Sequence, residues 1–148
     1  MSLQHPEVVR LELPARYTYL HILSDCIADM LRIAELQDRE MMVYNIQLAA
    51  HEICANIVNH AYADKHMGEG RIHISLALYP WPLRFEIELQ DAGESFDPAA
   101  VPTPQLQEAQ VHGYGLFLVR TLMDTVTYTA QSGNNHWCLI KHLESEGI

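Results

Sequence analysis

Tyr44-Asn-Ile-Gln-Leu-Ala-Ala-His-Glu-Ile-Cys-Ala-Asn-Ile-Val-Asn-His-Ala-Tyr62 is the stretch on which the reading of this chain turns. Apolar residues at Ile46, Ala49, Ala50, Ile53, Ile57 and Val58 recur at helical intervals. Glu52, Asn56 and His60 recur every four residues and form a polar stripe on the same helix. Four residues advance an α-helix by about 400°, so the three side chains drift only slightly around its axis. A carboxylate, an amide and an imidazole therefore stand one turn apart. By itself such a stripe reads most simply as a solvated helix face, and the rest of the chain decides whether it is more.

Upstream, residues 8–13 alternate apolar and polar after Val8 and predict a strand that Pro14 stops. Tyr19, Leu20, Leu23, Ile27, Met30, Leu31 and Ala34 predict a first amphipathic helix over 16–36. Leu36-Gln37-Asp38 ends it, and Asp38 is placed to cap a second helix over about 39–62. Downstream, residues 63–70 form a turn. Residues 71–79 and 83–90 then alternate, with Ile72, Ile74, Leu76 and Leu78 on one face of the first run and Phe85, Ile87 and Leu89 on one face of the second. Across Pro80-Trp81-Pro82 this predicts an antiparallel pair with one face on the core. Residues 99–111 carry two prolines and no period, a loop length that suits a functional lid or disorder. Gly113-Tyr114-Gly115 opens a helix through Leu116, Val119, Leu122 and Met123, and a last hairpin runs over 125–130 and 136–143 across Gly133-Asn134-Asn135. Trp81 and Trp137 read as packing residues.

The chain has 148 residues, enough for one domain with a real core. Its 9 basic and 19 acidic residues give a net charge of −10, which speaks against direct nucleic-acid binding and against an anionic membrane surface as partner. The three cysteines are far apart, which fits reduced, mostly buried thiols in a cytoplasmic protein. The first residues show neither a basic nor an apolar run of the signal-peptide kind. His51-Glu52 lacks the second histidine of a helical zinc motif, because Ala55 stands there. There is no nucleophile elbow and no P-loop.

Three elements remain: the stripe of Glu52, Asn56 and His60; Asp91-Ala92-Gly93 at the end of a predicted strand; and Gly113-Tyr114-Gly115-Leu116 at a helix start. Taken singly, the second reads equally as a turn and the third as loop punctuation. Their order and separation make a coherent nucleotide site. A magnesium ion that bridges phosphates keeps several waters and needs few protein oxygens, so the amide of Asn56 suffices. Glu52, one turn away, could orient or deprotonate an attacking hydroxyl. Asp91 could accept a hydrogen bond from an adenine amino group, with Gly93 letting the backbone approach the base. Amides from Gly113 to Leu116 would face the phosphates.

The sequence E-x-x-x-N-x-x-x-H-A-Y, then D-x-G-x-S-F-D-P, then G-x-G-L-x-L-V resembles the boxes of the GHKL (Bergerat-fold) ATPases. Within them it most resembles the small bacterial anti-sigma factors that are serine protein kinases. The resemblance runs from about residue 8 to residue 143. It implies an α/β sandwich, a mixed, mainly antiparallel sheet with helices packed on one face. It also implies ATP and Mg2+ as ligands. Asn56 would hold the metal and Glu52 would be the catalytic carboxylate. His60 would lie near the phosphates or close the helix, Asp91 would read adenine, and Gly93 and Phe96 would shape the nucleotide pocket. Gly113 and Gly115 would hinge a lid over about 97–112, with Tyr114 and Leu116 at its base. The implied partners are a sigma factor, an anti-anti-sigma protein of the STAS type whose serine is phosphorylated, and a second copy of the chain in a homodimer.

One departure stands out. Between Asp91 and Val119 there is no Lys or Arg to meet a terminal phosphate, and only His112, His66 or a partner's residue could serve, since Arg120 lies beyond the first turn of its helix. That leaves a second expectation, a nucleotide-dependent switch that binds partners without phosphotransfer. A third is a detached histidine-kinase catalytic domain, although no phosphoacceptor-histidine hairpin is visible.

Overall fold

The computed structural model describes residues 3–61, 70–93, 114–131 and 133–143. The elements are β1 (Glu7–Pro14), a 3-10 turn (Tyr17–Tyr19), α1 (Leu20–Leu31), α2 (Arg39–Asn56), a π-helical turn (Ile57–Ala61), β2 (Arg71–Pro80), β3 (Leu83–Asp91), α3 (Tyr114–Leu122), β4 (Thr125–Gln131) and β5 (Asn134–His142). The expected turn over 63–69, the lid, and Phe96, Gly113, His66 and His112 lie outside the described residues, as does the side chain of His60.

The strands form one five-stranded sheet in the order β1-β2-β3-β5-β4. All four pairings are antiparallel, so the described sheet has no parallel component. Register carries one apolar row across it: Leu11 faces Ile74, Ile74 faces Leu89, and Leu89 faces Trp137; Leu76 faces Ile87, and Ile87 faces Leu139. The period of two in a strand puts all of these on one face, where Ile74, Leu76, Ile87, Leu89, Trp137 and Leu139 are buried. They share a single core with Leu23, Ile27 and Leu31 of α1 and Ile46, Ala49, Ala50, Ile53 and Cys54 of α2. The other face is polar, with Arg84 paired to Glu86 at 2.7 Å and Arg71 to Glu12 at 3.5 Å.

In α2 the buried set falls at i, i+3, i+4, i+7 and i+8, the stripe expected of a helix lying on a sheet. The helix starts after Asp38, but not by the capping anticipated. Asp38 takes the left-handed conformation (φ 51°), which aspartate tolerates, and its side chain makes no cap bond; its carbonyl accepts the Met42 N–H at 3.0 Å. The junction is held from the other side. The Arg39 guanidinium donates to the carbonyls of Leu31, the last residue of α1, and of Ala34 in the connection that follows. The Gln47 amide ties α2 to the Ser24 carbonyl of α1 at 2.9 Å.

Two expectations change. The predicted single helix over 39–62 is α-helical to Asn56 and then passes into a π-helical turn. Trp137 packs as expected, its ring 4.4 Å from that of Tyr128, but Trp81 is 74% exposed at the β2–β3 turn and packs little. Phe85, fully buried at the centre of the sheet, is accordingly a keystone. Phe85→Ala is expected to cost about 3–5 kcal/mol of stability by urea denaturation, whereas Met41→Ala, at a surface position of α2, should stay within about 0.5 kcal/mol.

Candidate functional site

Glu52 and Asn56 lie on α2 beside its core-facing stripe and are half-buried, neither lost in the core nor fully solvated. Their four-residue spacing keeps them one above the other. Asn56 is the last α-helical residue, and His60 falls in the π-helical turn that follows. A π-turn closes i→i+5 bonds and is wider than an α-turn, so the backbone leaves the α-helical spacing after Asn56. Such turns occur often at functional sites.

The Asp91 carboxylate sits at the end of β3 and is buried, at 5% exposure. Its Oδ1 accepts the Gly93 N–H and the Asn135 side-chain amide, each at 2.9 Å. The same Asn135 amide nitrogen donates to the Gly93 carbonyl at 2.9 Å. One side chain on β5 therefore clasps both ends of the Asp91-Ala92-Gly93 turn. The β3–β5 register, which sets Asp91 opposite Asn135, makes this possible. Both of these bonds fall on Oδ1. Burial pushes the Asp91 carboxyl above the usual carboxylate range, while the bonds from Asn135 and Gly93 pull it back.

Sequence reasoning missed Asn135 because Gly133-Asn134-Asn135 reads as a turn. Gly133 does turn there (φ 72°), but Asn134 and Asn135 are already in β5. A signal was present: an asparagine in a strand is uncommon, and one in register with a functional aspartate points to a polar partner.

The third part is the start of α3. Leu116 and Val119 are buried and fix the helix on the core, so Leu116 can offer a ligand only its backbone N–H. Tyr114 and Phe117 face outward and stack with ring centroids 6.2 Å apart. Gly115 faces α2. A Cβ on Gly115 would lie 2.5 Å from Glu52 Oε2, which places the catalytic candidate against the first turn of α3. The positive end of a helix favours a carboxylate there by about 0.3–1 kcal/mol when exposed. The structure thus brings Glu52 and Gly115 into contact, and places Asp91 and Gly93 together at the strand end. Arg120 is exposed in the last turn of α3.

No cysteine is primed as a nucleophile: burial pushes the Cys54 thiol up to about 12, and burial first, then Glu88 and Glu86, raises that of Cys138. Among the described residues, no group of three or more His, Cys, Asp or Glu side chains could hold a metal ion. None of the described helices is long and apolar enough to cross a membrane.

The histidine kinase-like ATPase domain family matches residues 13–141. The serine-protein kinase RsbW of Halalkalibacterium halodurans is 30% identical over 145 residues, covering 90% of this chain and 82% of its own. The chain belongs to the histidine kinase-like ATPase domain family, and within it groups with the RsbW kinases. The RsbW of Bacillus subtilis is 26% identical over 96% of this chain and 89% of its own length, and the serine/threonine-protein kinase BtrW of Bordetella bronchiseptica 33% over 70% and 72%. Among solved structures, the RsbU and RsbW domains of a Mycobacterium tuberculosis protein superpose with a TM-score of 0.67 at 17% identity, over 93% of this chain and 32% of theirs. A blue-light-activated histidine kinase of Erythrobacter litoralis reaches 0.55 at 15% identity, over 88% and 62%. Both likenesses support the fold. Membership of an ATPase domain family implies an ATP site.

Asn135→Ala removes a hydrogen bond to an ionised group, so ATP affinity measured by calorimetry should fall about tenfold or more, with the deficit growing as pH is lowered because the carboxyl titrates at a still higher pH. The linkage in stability has the opposite sense. With its folded-state pKa raised, Asp91 favours folding when protonated, and that contribution is lost as pH rises through the raised value. Asp91→Asn removes the titration. The stability of the variant relative to the parent, followed by urea denaturation, should therefore improve as pH rises through that range.

Proposed function

We propose that this chain is an ATP- and magnesium-dependent protein serine/threonine kinase that also acts as an anti-sigma factor. The observation that carries the reading is the seating of Glu52 against the start of α3, one turn from Asn56 on the same helix. In this reading Glu52 is a proton acceptor and Asn56 a metal-ligating amide, beside the amides expected to receive phosphates. The resemblance to serine-protein kinases over most of the chain supports it.

In this reading Asp91 Oδ2 accepts a hydrogen bond from the adenine amino group, with Asn135 holding the other oxygen in place. Gly93, and Phe96 from the following segment, shape the base pocket. Asn56 Oδ1 is the protein ligand of Mg2+, an oxygen donor of the kind magnesium takes when phosphates and waters complete its shell. The metal would supply charge neutralisation for the phosphates. Gly113, Tyr114, Gly115 and Leu116 offer backbone, and His60 a side chain, toward the phosphates. Glu52 accepts the proton of the acceptor serine as its oxygen bonds to the γ-phosphorus and the bond to the ADP oxygen breaks. The acceptor is an anti-anti-sigma protein of the STAS type. A sigma factor is the alternative partner, the chain acts as a homodimer, and the compartment is the cytoplasm.

A second reading has its own observation. No Lys or Arg stands between Asp91 and Val119, so a cation for the terminal phosphate must come from outside this segment. Without one, the same site would serve as a nucleotide-dependent partner switch that transfers nothing.

The test is incubation of the purified chain with labelled ATP, magnesium and STAS-domain proteins from the same genome. The kinase reading expects label on an acceptor serine. Glu52→Gln should reduce the rate by about 10²–10⁴-fold while retaining nucleotide binding. Asn56→Ala should abolish the magnesium-dependent part of ATP affinity. Nucleotide binding with no transfer to any acceptor would favour the switch, and no nucleotide binding would remove both.

A further inference from the structure

Gly115 is the second residue of α3, and glycine is a poorer helix former than alanine. Its φ is not in the left-handed range that only glycine accepts readily, so backbone conformation does not call for it. What calls for it is space. A Cβ at Gly115 would meet Glu52 Oε2 at 2.5 Å, Glu52 Cδ at 3.6 Å and Glu52 Cβ at 4.0 Å, and the first distance is far inside contact. Neither helix can give way. Leu116 and Val119 bind α3 to the core, and Ala49, Ala50 and Ile53 bind α2 to it, all at 1% exposure or less. The movable part is the Glu52 carboxylate.

We propose that Gly115 is a positioning residue for Glu52: the missing side chain is the space that the carboxylate occupies, and this sets its orientation in the site. This role rests on the kinase reading for its consequence in catalysis, but the contact itself does not. It differs from letting phosphates approach the backbone, because a side chain at Gly115 would displace the Glu52 carboxylate whether or not nucleotide is bound. It also means that any shift of the first turn of α3 is felt at Glu52.

The experiment uses Gly115→Ala in the full chain, alone and combined with Glu52→Asp, whose carboxylate is one methylene shorter. Alanine is the better helix former, so the circular dichroism melt should show a folded protein. The side-chain carboxyl carbon resonance of Glu52, assigned by its disappearance in Glu52→Gln, should move in Gly115→Ala while those of the other glutamates stay. Phosphotransfer at saturating ATP, where a change in nucleotide affinity drops out, should fall by up to about a hundredfold, the scale of an ångström's misplacement. In the Glu52→Asp background the same alanine should cost much less. An unmoved Glu52 resonance would overturn the proposal. So would an equal cost in the Glu52→Asp background. If the parent transfers no phosphate, the kinase reading fails on its own, and the carboxyl resonance still decides the role of Gly115.

Discussion

The structure depends on the seating of α2. One side of this helix has to close the core over the sheet, and the adjoining side has to keep two polar groups out of it. Ile46, Ala49, Ala50, Ile53 and Cys54 meet the first demand. The two alanines let α2 lie close to its neighbours, and the isoleucines fill the space beyond. Glu52 and Asn56 meet the second by standing on the border of the buried stripe. Arg39 and Gln47 fasten the helix to α1 at its start and near its middle, so its height relative to the sheet is set by hydrogen bonds as well as by packing.

Around that helix the other two parts are held by different physics. Asp91 is positioned by strand register. The pairing of β3 with β5 delivers Asn135 to the Asp91 carboxylate, and the clasp fixes the turn to Gly93. A buried carboxyl of this kind is costly unless its partners favour the ionised form, and the two donors on Oδ1 do so. The start of α3 is positioned by apolar burial of Leu116 and Val119, and its distance from α2 is limited by the volume at Gly115. Register positions one part, and burial with one missing side chain positions the other.

Much of this could be read from residue order because the signals were local. The alternation in residues 71–79 and 83–90 gave both central strands and the inward faces that are in fact buried. The spacing of Ile46, Ala49, Ala50 and Ile53 gave the buried side of α2. What escaped was non-local. Asn135 carries a residue type that favours turns, and its bond to Asp91 spans a separation in sequence that no pattern reports. The contact of Gly115 with Glu52 joins two helices that only the tertiary packing brings together. The passage of α2 into a π-helical turn has no periodic signature in so short a segment. Trp81 was misjudged because large aromatic residues are usually buried, whereas a turn between two strands left it with little to pack on.

The central claim is that one ATP site is assembled from α2, the end of β3 and the start of α3. Backbone amide resonances followed during titration with magnesium and ATP test it most directly. The account predicts saturable shifts concentrated at Glu52–Ala61, Asp91–Gly93, Tyr114–Leu116 and Asn135, with the outer sheet positions His73, Ser75 and Glu88 unmoved. Shifts centred on the outer face of the sheet, or none at saturating nucleotide, would contradict it.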